Sequence, residues 1–162
     1  MLSDDLRSLG VRAGAALTRR CETIALVESS MGGLVSAALL AVPGASAYYL
    51  GALVIYTGQA REALLGIRPE DLHDVHPATE AYARLLAHGL RQRLPATWIL
   101  AETGATGPSP NRYGTPTGTG CFALVGPVER TLTVATGSTD REANMRRFAG
   151  TALQTVIEVL EA

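Results

Sequence analysis

The sequence predicts an α/β chain, a three-layer α/β/α sandwich around a mixed sheet, and three observations carry that expectation. Short apolar runs rich in β-branched residues alternate with segments of helical spacing. The run at residues 23–33, TIALVESSMGG, stops abruptly at Glu28, Ser29 and Ser30 before two glycines and a new helical pattern, which is the pattern of buried strand, tight turn and helix. Late in the chain, two strand-like runs flank Gly126 and Pro127, and a hairpin there adds antiparallel pairing to the sheet.

Residues 3–20 carry Leu6, Leu9, Ala13 and Leu17 at three- and four-residue spacings behind Ser3 and two aspartates, so an amphipathic helix opens the fold; Gly10 and Gly14 weaken it slightly. The buried strand Ile24, Ala25, Leu26, Val27 follows, then a helix over residues 32–41. Pro43 and Gly44 turn the chain into AYYLGALVIY, a strand ending near Tyr56. A short helix over residues 59–65 stops at Gly66. Residues 69–94 are helical in composition, with Pro77 suited to a first turn, Tyr82, Leu85, Leu86 and Leu90 forming a buried stripe, and Pro95 as the stop. Residues 97–101 read as a strand and residues 102–120 as a long Gly/Pro/Thr loop, of a length that in compact domains is usually functional or mobile. Strands at 121–125 and 130–135 form the hairpin. Asp140 opens the last helix, with Phe148, Leu153, Val156, Ile157 and Leu160 on its apolar face. One domain is expected over residues 1–162, without repeats.

Composition narrows the function. The chain has 162 residues, 47% of them hydrophobic, and a formal net charge of -1. No basic patch points to nucleic acid, no apolar stretch reaches membrane-spanning length, and the acidic N-terminus lacks a signal-peptide core, so a cytoplasmic protein is expected. Cys21 and Cys121 have no ligand spacing and are expected to be reduced thiols. No metal and no cofactor are expected. All 14 basic residues are arginine, which removes every mechanism built on a lysine nucleophile or base.

Ser29 falls at the carboxyl end of a strand, where open α/β sheets bind ligands and the next helix offers N–H groups to an anion. Two readings stand there: nucleophile or phosphate ligand, or a plain helix cap formed with Ser30. Three polar loops, at residues 28–33, 56–61 and 103–108, follow predicted strands and should meet at one edge. Gly32, Gly33, Gly104 and Gly107 let backbone approach a ligand and leave N–H groups for an anion nest, unless they serve only as turn residues.

Several stretches resemble one family. Val27-Glu28-Ser29-Ser30-Met31-Gly32-Gly33 is similar to the AESCTGG motif of the CinA C-terminal domain, the nicotinamide mononucleotide deamidase family. The likeness continues in order through residues 43–67, 102–108 (ETGATGP), 115–119 and 139–141. The resemblance implies a CinA-like fold, a tendency to self-associate with a dimer favoured, and a small-molecule mononucleotide whose amide is hydrolysed to acid and ammonia. It places Ser29 on the nucleophile, Tyr56 on the motif tyrosine and Arg61 on an assisting lysine. It places Glu28, Ser30, Gly32, Gly33, Thr103, Gly104, Thr106, Gly107 and Arg141 around the ligand. Arginine stays protonated and serves phosphate better than it serves as a base. Ser30 and Met31 replace a cysteine and a threonine, residues 109–113 depart from the usual GG-containing loop, and Thr115 stands where a lysine is common. His73 and His76 are expected at the surface or in turns, and His88 within a helix, either at the surface or packed. Three functions follow: a mononucleotide amidohydrolase of pyridine nucleotide salvage, a nucleotide-binding module without turnover, or an interaction domain.

Overall fold

The computed structural model describes residues 2–162. Its centre is a five-stranded sheet in the order β2-β1-β3-β4-β5. The strands are β1 (Ile24–Glu28), β2 (Tyr49–Val54), β3 (Trp98–Ala105), β4 (Thr119–Val125) and β5 (Glu129–Ala135). β1 runs parallel to β2 and β3, whereas β4 pairs antiparallel with β3 and with β5, so the sheet is mixed. β1 is buried along its whole length because both faces are covered, which is why its apolar run is continuous rather than alternating.

Strand alternation divides the core in two. Ile24, Leu26, Leu100, Phe122 and Leu124 face a cluster completed by helices α1 (Asp4–Arg20), α2 (Leu34–Leu40) and α5 (Arg141–Glu161). Ala25, Val27, Ile99, Ala101 and Ala123 face α3 (Gly58–Leu65) and α4 (Glu80–Arg91). These are the three layers. Ser3, Thr57, Thr79 and Asp140 each accept a backbone N–H at a helix start, a contact worth about 1 kcal/mol apiece. The α1 glycines are packing residues: a Cβ at Gly10 would sit 2.4 Å from the Ala38 carbonyl oxygen, and one at Gly14 2.7 Å from the Tyr48 hydroxyl. Among the described residues no helix is long and apolar enough to cross a membrane, and Cys21 and Cys121 are free.

Four local expectations are corrected. The second helix begins at Leu34, because Gly32 and Gly33 take positive φ (66° and 93°) and form the turn before it. β2 ends at Val54, two residues short of Tyr56. Residues 69–94 are not one helix: Pro69–Leu72 is a single 3₁₀ turn, and positive φ at His73, Asp74 and Ala78 breaks the chain before Thr79 caps α4, which leaves Pro77 outside any first turn. The long loop is shorter than expected, because Glu102, Thr103 and Gly104 continue β3 and pair with Phe122, Cys121 and Gly120.

Candidate functional site

From β1 the chain goes first to β2 on one side, and the later strand β3 lies on the other, so connections diverge at the carboxyl ends of β1 and β3. Ligand crevices of open α/β sheets form at such a point. A cleft of about 730 Å³ opens there, within the range for small-molecule sites. Ser29, half-buried immediately after β1, is in its wall, with Tyr56 and Thr57 after β2, Arg61 from α3, and Thr103 and Gly104 from the end of β3.

The turn carrying Ser29 is held by two buried carboxylates. Glu102 accepts the N–H of Ser29 and of Met31, each at 3.1 Å, and the hydroxyl of Ser30. Glu28 accepts the N–H of Gly33 (2.9 Å), Val35 (3.2 Å) and Ser36 (2.8 Å) together with the Ser36 hydroxyl. Both carboxylates are fully buried. Burial pushes Glu102 up to about 7, against the opposing pull of its three donors, and the nearby Glu28 charge adds to the rise. Of the glycine N–H groups expected to form an anion nest, that of Gly33 is taken by Glu28 and that of Gly32 by the Ser29 carbonyl at 3.3 Å, while the N–H groups of Ser29, Met31, Val35 and Ser36 go to the two carboxylates. Ser30 N–H is the exception: among the described residues it is the one amide from Ser29 to Ser36 without an acceptor in the chain.

Arg61 is buried, and its guanidinium is already committed: Nε donates to the Ile67 carbonyl at 2.9 Å and Nη1 to the Tyr82 hydroxyl at 3.3 Å. Its Nη2 lies toward Gly58 at the cleft wall, 3.9 Å from where a Cβ of that residue would stand. Tyr56 is 67% exposed, and its hydroxyl accepts from Arg141 Nη2 at 2.9 Å, while Nη1 of the same arginine donates to the Gly107 carbonyl at 2.8 Å. The loop after β3 closes the opposite wall with Asn111, Arg112 and Tyr113. There the Tyr113 ring stacks on His76 at 5.0 Å, and the Arg112 guanidinium carbon lies 4.9 Å from its centroid. Thr103 accepts the N–H of Ala78 at 3.0 Å, which ties the segment before α4 down to the end of β3.

The structure thus brings Ser29, Tyr56, Arg61, Thr103 and Gly104 to one cleft, with Arg141 at its rim through Tyr56. Glu28 and Ser30 do not reach it. Glu28 faces the start of α2, and the Ser30 hydroxyl is turned to Glu102, because adjacent residues at a strand end point to different sides. Gly32 and Gly33 form the turn behind Ser29 and lie outside the lining. Thr106 is buried with its carbonyl bonded to Asn144 Nδ2 at 2.9 Å, and Gly107 meets Arg141. Sequence reasoning missed Glu102, Arg112 and Tyr113. For Glu102 the signal was a carboxylate directly after an apolar strand; for the other two it was an arginine and an aromatic side by side in an otherwise small-residue loop. A groove of about 710 Å³ between α1, β5 and α5 shares none of these residues.

Comparison with known proteins identifies the family and the fold. Residues 7–160 match the family model for the CinA C-terminal domain. A CinA-like protein of Gloeobacter violaceus is 39% identical over 125 residues, covering 77% of this chain and 29% of that protein. One of Desulfosudis oleivorans is 35% identical over 157 residues, covering 96% of this chain and 38% of that protein. The chain therefore spans well under half the length of these relatives. Among solved structures, a competence-damaged protein (CinA) superfamily protein of Klebsiella pneumoniae superposes with a TM-score of 0.90 at 27% identity, over 96% of this chain and 98% of that one. A competence/damage-inducible protein of Agrobacterium tumefaciens gives 0.90 at 26% identity, over 100% and 99%. The family-model match over nearly the whole chain, together with these likenesses, shows that the chain belongs to the CinA C-terminal domain family.

Proposed function

We propose that the chain is a nicotinamide mononucleotide deamidase-like amidohydrolase of pyridine nucleotide salvage, acting in the cytoplasm, and that its turnover is slow. The observation that carries this reading is Ser29 in the wall of a cleft at the sheet's switch point, on a turn fixed by buried carboxylates. In this reading the Ser29 hydroxyl oxygen attacks the amide carbon, the C–N bond breaks to release ammonia, and water hydrolyses the resulting ester to the acid and free serine. Ser30 N–H, following the nucleophile, donates to the developing oxyanion. Arg112 and the Nη2 of Arg61 supply positive charge for the phosphate, and Arg141 orients Tyr56.

Slowness follows from the base. The position of the family lysine holds Arg61, whose guanidinium does not give up a proton and is bonded to Ile67 and Tyr82. General-base help is worth about 10²–10⁴-fold. A second reading, a nucleotide-binding module without turnover, is favoured by one observation: among the described residues no side chain is hydrogen-bonded to the Ser29 hydroxyl. Homodimerisation belongs to the proposal as well, with the apolar edge strand β2 as the contact.

Calorimetric binding of nicotinamide mononucleotide, paired with ammonia release by wild type and Arg61→Lys, tests the reading. Binding with slow release is expected, and Arg61→Lys should raise the rate by up to about 10²-fold. Brisk wild-type release that Arg61→Lys leaves unchanged would place the base elsewhere. Absence of binding would sink both readings.

A further inference from the structure

Glu102 is a fully buried carboxylate that the proposed reaction does not use. Its carboxyl takes donors from three consecutive residues, the N–H of Ser29 and Met31 and the hydroxyl of Ser30. A second observation points to the same contact. Gly104, two residues on and on the same face of β3, leaves the space in which the Ser30 hydroxyl sits, since a Cβ there would lie 2.7 Å from Ser30 Oγ and 2.8 Å from the Thr119 carbonyl oxygen. One face of β3 therefore supplies both an acceptor and a vacancy for the turn after β1. We infer that Glu102 is a positioning residue for Ser29, whose carboxyl fastens the turn so that Ser29 stays in the cleft wall and Ser30 N–H stays without an acceptor in the chain.

An apolar side chain would suit this fully buried position opposite Phe122 in the sheet without the cost of burying a carboxyl. It would leave two amides unpaired at the turn. The titratable group that bears on Glu102 is Glu28 of β1, whose charge opposes its ionisation; Cys121 of β4 feels Glu102 in turn, its thiol pushed up first by burial and also by that charge, and α5 presents the uncharged Phe148 to the neighbouring Gly104. Ionised, Glu102 accepts all three hydrogen bonds. Protonated, it donates to the Ser30 oxygen and keeps its other oxygen for the two amides. Glu102→Gln reproduces the protonated arrangement, and Glu102→Leu neither.

The role rests on Ser29 being the reacting group, and the test separates the two claims. In uniformly ¹⁵N-labelled full chain, the Ser29 and Met31 amide resonances should move together between pH 5 and 9 with a midpoint near the Glu102 value of about 7, and Glu102→Gln should hold them still. Hydrogen-exchange protection of both amides should persist in Glu102→Gln and fall about tenfold in Glu102→Leu. Wild-type resonances that do not titrate, or that titrate equally in Glu102→Gln, overturn the inference even if Glu102→Leu does not fold; so does full protection in a folded Glu102→Leu. With nicotinamide mononucleotide as probe, Glu102→Leu should lower kcat with KM nearly unchanged while Glu102→Gln retains turnover. A fastened turn without turnover in wild type sinks the functional reading instead. Unchanged kcat in Glu102→Leu after protection is lost overturns the positioning role.

Discussion

At the scale of single residues, two carboxylates in the same layer have different consequences. Glu28 meets three amides and a hydroxyl at the start of α2, whereas Glu102 meets two amides and a hydroxyl and is pushed up to about 7. Because the folded value of Glu102 exceeds its ordinary 4.5, the folded chain holds a proton that the unfolded chain has lost. The resulting stabilisation is fully present below about pH 4.5 and disappears as pH rises through about 7. Converted at 1.36 kcal/mol per unit, the change is on the order of 3 kcal/mol. Chemical denaturation at pH 5 and pH 8 should therefore find wild type less stable at the higher pH, and Glu102→Gln should remove most of that difference. A pH-independent wild type would mean that Glu102 ionises normally. Hydrogen bonding to nearby amides was a role open to Glu28 from its place before the turn, and the structure bears it out, whereas the job of Glu102 was not readable in advance. Glu28 stood next to Ser29 in the motif and drew attention to the ligand, but strand geometry turns it to the helix; Glu102 stood in a stretch that resembled a loop.

At the scale of elements, periodicity carried most of the fold and failed where pairing overrides propensity. β1, α1, the hairpin β4–β5 and α5 were readable because apolar spacing, a capping residue or a Gly-Pro turn marked each. The second half of β3 was not, since Glu102 and Gly104, on either side of Thr103, have little strand propensity, and it is the ladder to β4 that extends them. The break before α4 was hidden too, because residues 69–94 are helical in composition while His73, Asp74 and Ala78 adopt left-handed backbone, with Ala78 tied to Thr103. Close approaches between elements give a direct test. Gly10→Ala forces a methyl to 2.4 Å from the Ala38 backbone oxygen, between α1 and α2. Overpacking of this kind costs about 1–3 kcal/mol. Thermal unfolding should show a clear loss, and a Gly10→Ala protein as stable as wild type would mean that the two helices can separate at little cost.

At the scale of the whole molecule, β2 and β5 are the two sheet edges, and they are unlike. β5 is bound on one side to α4, where Glu80 accepts the hydroxyls of Thr131 and Thr133. β2 exposes Leu50 (44%) and Val54 (52%), and Tyr56 lies just beyond it, so an apolar edge adjoins the cleft. Unpaired apolar edges are natural sites of association. Light scattering at micromolar concentration should give twice the 17.0 kDa of one chain, and Leu50→Lys should shift the population toward monomer. Monomer alone in the wild type contradicts the dimer. Turnover at the cleft does not depend on assembly. Its most direct test is ammonia release from nicotinamide mononucleotide by wild type and Ser29→Ala, with binding to both measured in the same buffer. Wild type should release ammonia slowly, Ser29→Ala should release none above background, and the two should bind similarly. Equal release from both proteins would contradict this.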